Sequence, residues 1–292
     1  MQPRIHPSIM VGLIGQGIQK SRSPVMHETE AAALGLKLTY LLLDTDRMPQ
    51  PAPPLEEILR SAEICGLSGL NITFPYKVKV IEHLDGLSDS AQLVGAVNTV
   101  VFRDGRRYGH NTDLWGFAEA FRRELADAKR DHVLLLGTGG GGAAVAHALL
   151  ACDVKTLWLF DIDMAKAEAL ATDIRACQKY APERVKLAPS IADIAGQLDG
   201  VVNASPVGMA KFPGCAFPAQ HMHARQWIAD IVYFPLETEL LRRARGLGCR
   251  TLAGSGMAVG QAARAFKLFT GRDPDHQRIE TAFNAIEETG PE

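Results

Sequence analysis

The sequence predicts an α/β protein of two domains, each a sheet wound with helices, and a first domain assembled from both ends of the chain. Three observations predict it. Short β-branched or Leu-rich runs alternate with helical patterns, and the alternation occurs twice. A glycine cluster at 137–142 follows the first apolar run of the second series. From residue 254 onward the pattern is helical with no strand to extend the second sheet, so the last helices are expected to fold back on the first domain.

In the first series, strands are expected at 9–14, 38–43 and 70–73, with helices in the gaps. A hairpin follows over 97–102 and 107–110, turning at Asp104-Gly105. Leu114, Phe117, Phe121 and Leu125 recur at three- and four-residue steps, the stripe of one amphipathic helix leading into the second series. There the expected strands are 132–136, 156–160, 200–203 and 228–233, with a helix over 165–177. The expected domains are 1–114 plus 255–292, and 115–254.

The 292 residues, 47% of them hydrophobic, suffice for two cores. Thirty-one basic against 33 acidic residues leave a net charge of −2, so nothing points to nucleic acid. No apolar run nears the roughly 18 residues of a membrane helix, and a cytoplasmic protein is expected. Five scattered cysteines without a C-x-x-C indicate neither disulfides nor zinc, and His221-x-His223 lacks companions to complete a metal set; no metal is expected. No G-x-S-x-G occurs, which removes the hydrolase reading that motif would support.

Gly137-Thr-Gly139-Gly140-Gly-Gly142 stands between an apolar strand and a helix-prone stretch, the context in which G-x-G-x-x-G seats a pyrophosphate. Glycine 137 permits the turn, 139 lets backbone approach the phosphates, and 142 lets helix pack on strand. The second domain is therefore expected to be a Rossmann-like dinucleotide-binding domain. Its second strand ends at Asp161, about 20 residues on, where a carboxylate accepts from ribose hydroxyls and repels a 2′-phosphate. NAD is expected over NADP, although Asp161 could instead cap the next helix, a task Asp163 could also take.

A dinucleotide needs a second reactant. Lys77, after Asn71-Ile-Thr73-Phe-Pro75-Tyr, is expected in the first turn of a helix, where the dipole disfavours a cation unless something uses it. Asn98-Thr99 opens a strand, and Asp113 is either a helix cap or a reacting carboxylate.

These residues carry a resemblance to the shikimate dehydrogenase family, and within it to the NAD-using quinate/shikimate dehydrogenases. The matching motifs come in family order: Gly15 to His27 with Ser21-Arg-Ser23-Pro24, Asn71 to Lys77, Gly95-Ala-Val-Asn98-Thr99, Asn111-Thr-Asp113, the glycine loop, Asn203-Ala-Ser-Pro206-Val-Gly208, Asp230-Ile-Val-Tyr233-Phe-Pro235, and Gly256-Met257-Ala-Val-Gly-Gln261. The resemblance implies a discontinuous substrate domain, with Lys77 and Asp113 as the catalytic pair and Ser21 and Ser23 on the carboxylate of a cyclitol. It implies that Asn71, Thr73, Asn98, Tyr233 and Gln261 line the rest of that site. It places Gly137, Gly139, Gly140, Gly142, Asp161, Asn203, Pro206, Gly256 and Met257 at the cofactor. An amide such as Asn98 or Gln261 suits a polyol because it can donate to one hydroxyl and accept from another.

The implied reaction is reversible oxidation of the ring C3 hydroxyl, with Lys77 moving the proton and Asp113 orienting it. Many NADP-using members carry Asn-Arg-Thr where Asp161-Ile162-Asp163 stands here, which again favours NAD. One methyl group, Ser for Thr at position 23, is worth about 1 kcal/mol, too little to choose between shikimate and quinate, so dual activity is expected. The alternatives are an NADP-dependent biosynthetic enzyme, a methylenetetrahydrofolate-dehydrogenase-like enzyme, and an inactive NAD-sensing paralogue; Ser21-Arg-Ser23 and the retained Lys77 and Asp113 speak against the last two. The partner considered beyond the small molecule is a second copy in a homodimer.

Overall fold

The computed structural model describes residues 8–286. The chain divides into two compact units: one runs to Thr112 and resumes at Val259, and the other holds Asp113–Ala258.

The first unit begins with β1 (Ile9–Gly15), α1 (Ser23–Ala33), β2 (Leu38–Asp44), α2 (Leu55–Ile64) and β3 (Gly69–Ile72). It continues through β4 (Gly86–Leu87), α3 (Asp89–Val94), β5 (Thr99–Arg103) and β6 (Arg106–His110). The strand order is β2-β1-β3-β5-β6-β4. β1 pairs in parallel with β2 and β3, whereas β5 runs antiparallel to β3 and β6, so the sheet is mixed. Asp104 and Gly105 both have positive φ, 54° and 69°, which makes the β5–β6 hairpin tight and sets its register. Alternate residues of β1 serve opposite faces. Ile14 joins Leu59 of α2 and Leu70, Val97 and Val100, while Val11 and Leu13 join Tyr40 on the other face.

α4 (Thr112–Glu124) passes into the second unit at Asp113, with Phe117, Phe121 and the following Leu125 buried, and the unit proceeds through β7 (His132–Leu136), α5 (Gly140–Ala151), β8 (Thr156–Phe160) and α6 (Met164–Ala176). Then come β9 (Val185–Leu187), α7 (Ile191–Ile194), β10 (Gly200–Asn203), β11 (Trp227–Asp230), α8 (Glu239–Gly246) and β12 (Arg250–Leu252). The order β12-β11-β10-β7-β8-β9 is wholly parallel, a doubly wound sheet whose strand order reverses beside β7. The expected strand over 228–233 is shorter and starts earlier: it closes at Asp230, where that carboxylate accepts from the Val232 N–H and turns the chain out of the ladder.

α9 (Gly254–Thr270) and α10 (His276–Asn284) are the last elements among the described residues, and from Val259 they belong to the first unit. Ala265 and Phe269 of α9 cover the face of β1 that carries Val11 and Leu13. α10 lies on α1, held by the fully buried Glu30, which takes Arg278 Nη1 at 2.9 Å and the Asp275 N–H at 2.8 Å. Among the described residues no helix is long and apolar enough to cross a membrane.

Candidate active site

In the first unit, the loop after β1 carries Ser21 and Ser23. Ser23 is the first residue of α1, with Pro24 behind it, and its N–H donates to Ser21 Oγ at 3.3 Å. Between them Arg22 is buried: its Nη1 donates to the Phe283 carbonyl of α10 at 2.7 Å and its guanidinium lies 4.7 Å from the Phe283 ring. Thr73 sits beside this loop. Its N–H donates to the Ile14 carbonyl at 3.0 Å, and a Cβ on Gly15 would fall 2.3 Å from the Thr73 methyl, so glycine there lets the two segments touch.

Asn71 and Asn98 belong to one directional chain of hydrogen bonds. Tyr40 Oη donates to Asn71 Oδ1 at 2.8 Å, and Asn71 Nδ2 donates to Thr99 Oγ1 at 2.9 Å. Thr99 Oγ1 donates to Asn98 Oδ1 at 3.2 Å, and Asn98 Nδ2 to Thr112 Oγ1 at 2.9 Å. Thr112 Oγ1 then reaches Gln261 Oε1 of α9 at 3.5 Å. Backbone groups orient both amides: Asn71 Nδ2 also donates to the Asn98 carbonyl at 3.3 Å, and Asn98 Oδ1 takes the Thr112 N–H at 2.7 Å. The expectation that Asn98 both accepts and donates toward a polyol is therefore corrected. Its oxygen is occupied from two sides, leaving one N–H, while Asn71 has both N–H groups engaged and keeps only acceptor capacity.

Lys77 also departs from expectation. It lies in a turn, before the short 3₁₀ helix Lys79–His83, and no α-helix begins there, so the argument from a helix dipole does not apply to it. Turn bonds from Tyr76 N–H to the Thr73 carbonyl (2.9 Å) and from Val80 N–H to the Tyr76 carbonyl (2.9 Å) close the segment instead. The Lys77 carbonyl accepts the Val97 N–H at 2.8 Å, which places its backbone one residue from Asn98.

In the second unit, the glycine loop lies at the carboxyl end of β7. Gly137 has φ +90°, and a Cβ there would stand 2.7 Å from the Ser205 nitrogen; one on Gly142 would stand 2.2 Å from the Gly137 carbonyl oxygen. Around Gly139 and Gly140 a Cβ would meet nothing within 4 Å beyond their own chain neighbours and helix backbone, so the space beside them is open. The loop and the first turn of α5 thus fit a pyrophosphate. Asp161 Oδ2 accepts from the Thr138 N–H at 2.8 Å and its hydroxyl at 2.9 Å, and Oδ1 accepts from the Asp163 N–H at 3.0 Å. Burial acts to raise this carboxyl, but those donors outweigh it and hold it below the usual carboxylate range. Asp163, not Asp161, occupies the N-cap position of α6.

Asp113 is the second residue of α4 and not its cap. Asn203 has its amide fully engaged: Nδ2 donates to the Val207 carbonyl (2.8 Å) and to Asp230 Oδ1 (2.9 Å), and Oδ1 accepts from the Ser205 N–H (3.0 Å) and hydroxyl (2.6 Å). It latches the turn holding Pro206 and has no side-chain donor left. Gly256 packs α9 on α4, since a Cβ there would meet Ala120 Cβ at 3.0 Å; Met257 follows it in α9, and Tyr233 stands 40% exposed after β11. Sequence reasoning missed Tyr40, Asp44, Thr99, Thr112, Thr138 and Asp230 as parts of this machinery. Tyr40 and Asp44 share the inward phase of β2, and the other four lie within motifs already quoted, so each had a local signal that did not reveal its partner.

Two family models match: the shikimate dehydrogenase substrate binding domain over residues 13–100 and the shikimate 5′-dehydrogenase C-terminal domain over 254–282. The chain is 48% identical to a shikimate dehydrogenase (NADP(+)) of Streptomyces avermitilis over 274 residues, covering 93% of this chain and 94% of that one. It is 44% identical to a quinate/shikimate dehydrogenase (NAD(+)) of Corynebacterium efficiens, with 96% and 99% covered. A solved quinate dehydrogenase from Corynebacterium glutamicum in complex with NAD superposes with a TM-score of 0.91 at 44% identity, covering 96% of this chain and 99% of that chain. With this identity along nearly its whole length, and two α/β units wound as in those structures, the chain belongs to the shikimate dehydrogenase family.

Proposed function

We propose that the chain reversibly oxidises the C3 hydroxyl of cyclitol carboxylates, shikimate to 3-dehydroshikimate and quinate to 3-dehydroquinate, with NAD preferred. The first unit binds the cyclitol and the second the dinucleotide. The observation that carries the cyclitol reading is the directional chain from Tyr40 to Gln261, which leaves an acceptor at Asn71 and a donor at Asn98 for neighbouring ring hydroxyls. Ser21 and Ser23 donate to the carboxylate, and Thr73 and Gln261 complete the seat. When bound, the dinucleotide takes up or returns the hydride. Lys77 accepts the hydroxyl proton during oxidation and returns it to the forming alkoxide during reduction, help worth roughly 10²- to 10⁴-fold in rate. Asp113 orients Lys77.

The relatives' names divide between the two dinucleotides. Asp161 supports NAD: it is held ionised below its usual range, and beside it Ile162, 99% exposed, offers no cation to a 2′-phosphate. Steady-state kinetics with shikimate and quinate crossed against NAD and NADP test both parts. Turnover of either acid with a higher kcat/KM for NAD is expected; preference for NADP overturns the cofactor reading, and no turnover of either acid overturns the substrate reading.

A further inference from the structure

The loop that presents Ser21 hangs from one carboxylate at the end of the neighbouring strand. Asp44 closes β2 in register with Gly15 of β1. Its Oδ1 accepts from the Gly17 N–H at 2.9 Å and the Asp46 N–H at 3.1 Å, and its Oδ2 from the Ile18 N–H at 3.2 Å and Gln19 Nε2 at 3.0 Å. Gly17 has φ +65°, the left-handed turn that aims two successive N–H groups at the same acceptor. The Ile18 carbonyl in turn accepts the Ser21 N–H at 2.9 Å, and Thr45 Oγ1 donates to the Gly15 carbonyl at 3.2 Å. Asp44 is 4% exposed, so it has no open route to a ligand. Burial acts to raise its carboxyl, and the four donors more than offset that, keeping it ionised.

We infer that Asp44 is a positioning residue for substrate affinity: it holds Gly17 and Ile18, and through the Ile18 carbonyl it sets the place of Ser21. The inference rests on the reading of Ser21 and Ser23 as the carboxylate seat. Two effects of Asp44 oppose each other. Its negative charge beneath an anion seat weakens binding of a carboxylate, while its hydrogen bonds preorganise the donors. Four donors surround one charge and screen it, so positioning wins.

The test is Asp44→Asn, which keeps the shape but turns an NH₂ group toward the Ile18 N–H. In the intact chain, KM for shikimate should rise about tenfold, with kcat within about threefold and KM for NAD unchanged, because one charge-assisted bond becomes a repulsive contact. A purely structural role lowers the melting temperature and active fraction without this split, and an unchanged KM overturns the inference. A fall in KM overturns it too, since charge repulsion would then dominate. In a Ser21→Ala background the same change should alter KM less than twofold; a full effect there means that Asp44 acts elsewhere. Should Asp44→Asn fail to fold, Gln19→Met removes one exposed donor and should raise KM about twofold, and no rise refutes the inference. An unmodified chain that turns over neither shikimate nor quinate refutes the functional reading itself, an outcome distinct from all of these.

Discussion

Tyr40 Oη and Asn71 Oδ1 are 2.8 Å apart, and this bond decides what Asn71 can offer a ligand. Both partners are buried, and the amide's other contacts point at backbone and Thr99. Tyr40→Phe keeps the ring but frees one lone pair of Asn71. The amide loses one of its restraints, so KM for shikimate is expected to rise threefold to tenfold with kcat little changed, as for a lost buried hydrogen bond of about 1 kcal/mol. Initial-rate measurements against both substrates check it; an unchanged KM for the cyclitol refutes it.

Two glycines of one loop should fail in different ways. Gly142→Ala puts a Cβ 2.2 Å from the Gly137 carbonyl oxygen, a contact that forces α5 away from β7, so loss of stability of about 1–3 kcal/mol is expected in urea unfolding. Gly139→Ala meets no such contact, and although alanine is less favourable than glycine at the N-cap of α5, the loss of stability should stay below about 1 kcal/mol. Its NAD affinity should nevertheless fall at least tenfold by calorimetry, because the methyl occupies the approach of the pyrophosphate. Unimpaired NAD binding by Gly139→Ala would show that the dinucleotide lies elsewhere.

Cofactor choice should be movable at two positions. Asp161→Asn combined with Ile162→Arg removes the anion and supplies a guanidinium at a fully exposed site. The ratio of kcat/KM for NADP over NAD is expected to increase at least about 100-fold, the size of one gained charge pair and one removed repulsion. A ratio that moves less than tenfold would assign discrimination to other residues.

Asp230 links fold stability to pH. Burial pushes its carboxyl up to about 6, against the hydrogen bonds from Thr238, the Val232 N–H and Asn203, which act to lower it. A carboxyl raised above its unfolded value of 3.8 favours folding fully below that value, and this contribution disappears as pH rises through about 6. The difference amounts to about 2 kcal/mol between pH 4 and pH 7. Asp230→Asn should therefore remove this slope while letting Thr238 reverse its bond and donate elsewhere. Urea titrations at several pH values check it: an identical pH slope in the variant contradicts the assignment.

The wound strands were legible in the sequence where burial on both faces makes the chain uniformly apolar. β7, β8 and β10 are found at the residues their apolar runs mark. β4, β9 and β12 have two or three residues each and were not expected at all, since so short a run has no period. Lys77 was misplaced onto a helix because a proline after a strand signals a helix start as readily as an isolated turn.

The site divides along the same line. Motif spacing pointed to the glycines and Asp161, since backbone freedom and charge are properties of single residues, whereas the paired serines and the two asparagines came from the family resemblance. The direction of the hydrogen bonds that join Tyr40, Asn71, Thr99, Asn98, Thr112 and Gln261, the bond of Asn203 to Asp230, and the hold of Asp44 on Gly17 and Ile18 depend on partners 1 to 149 positions apart, most of them more than ten. Sequence determined which donors and acceptors the protein possesses. Only tertiary structure decided which of them remain free for a ligand, because a buried polar group must find a partner, and the fold chooses that partner.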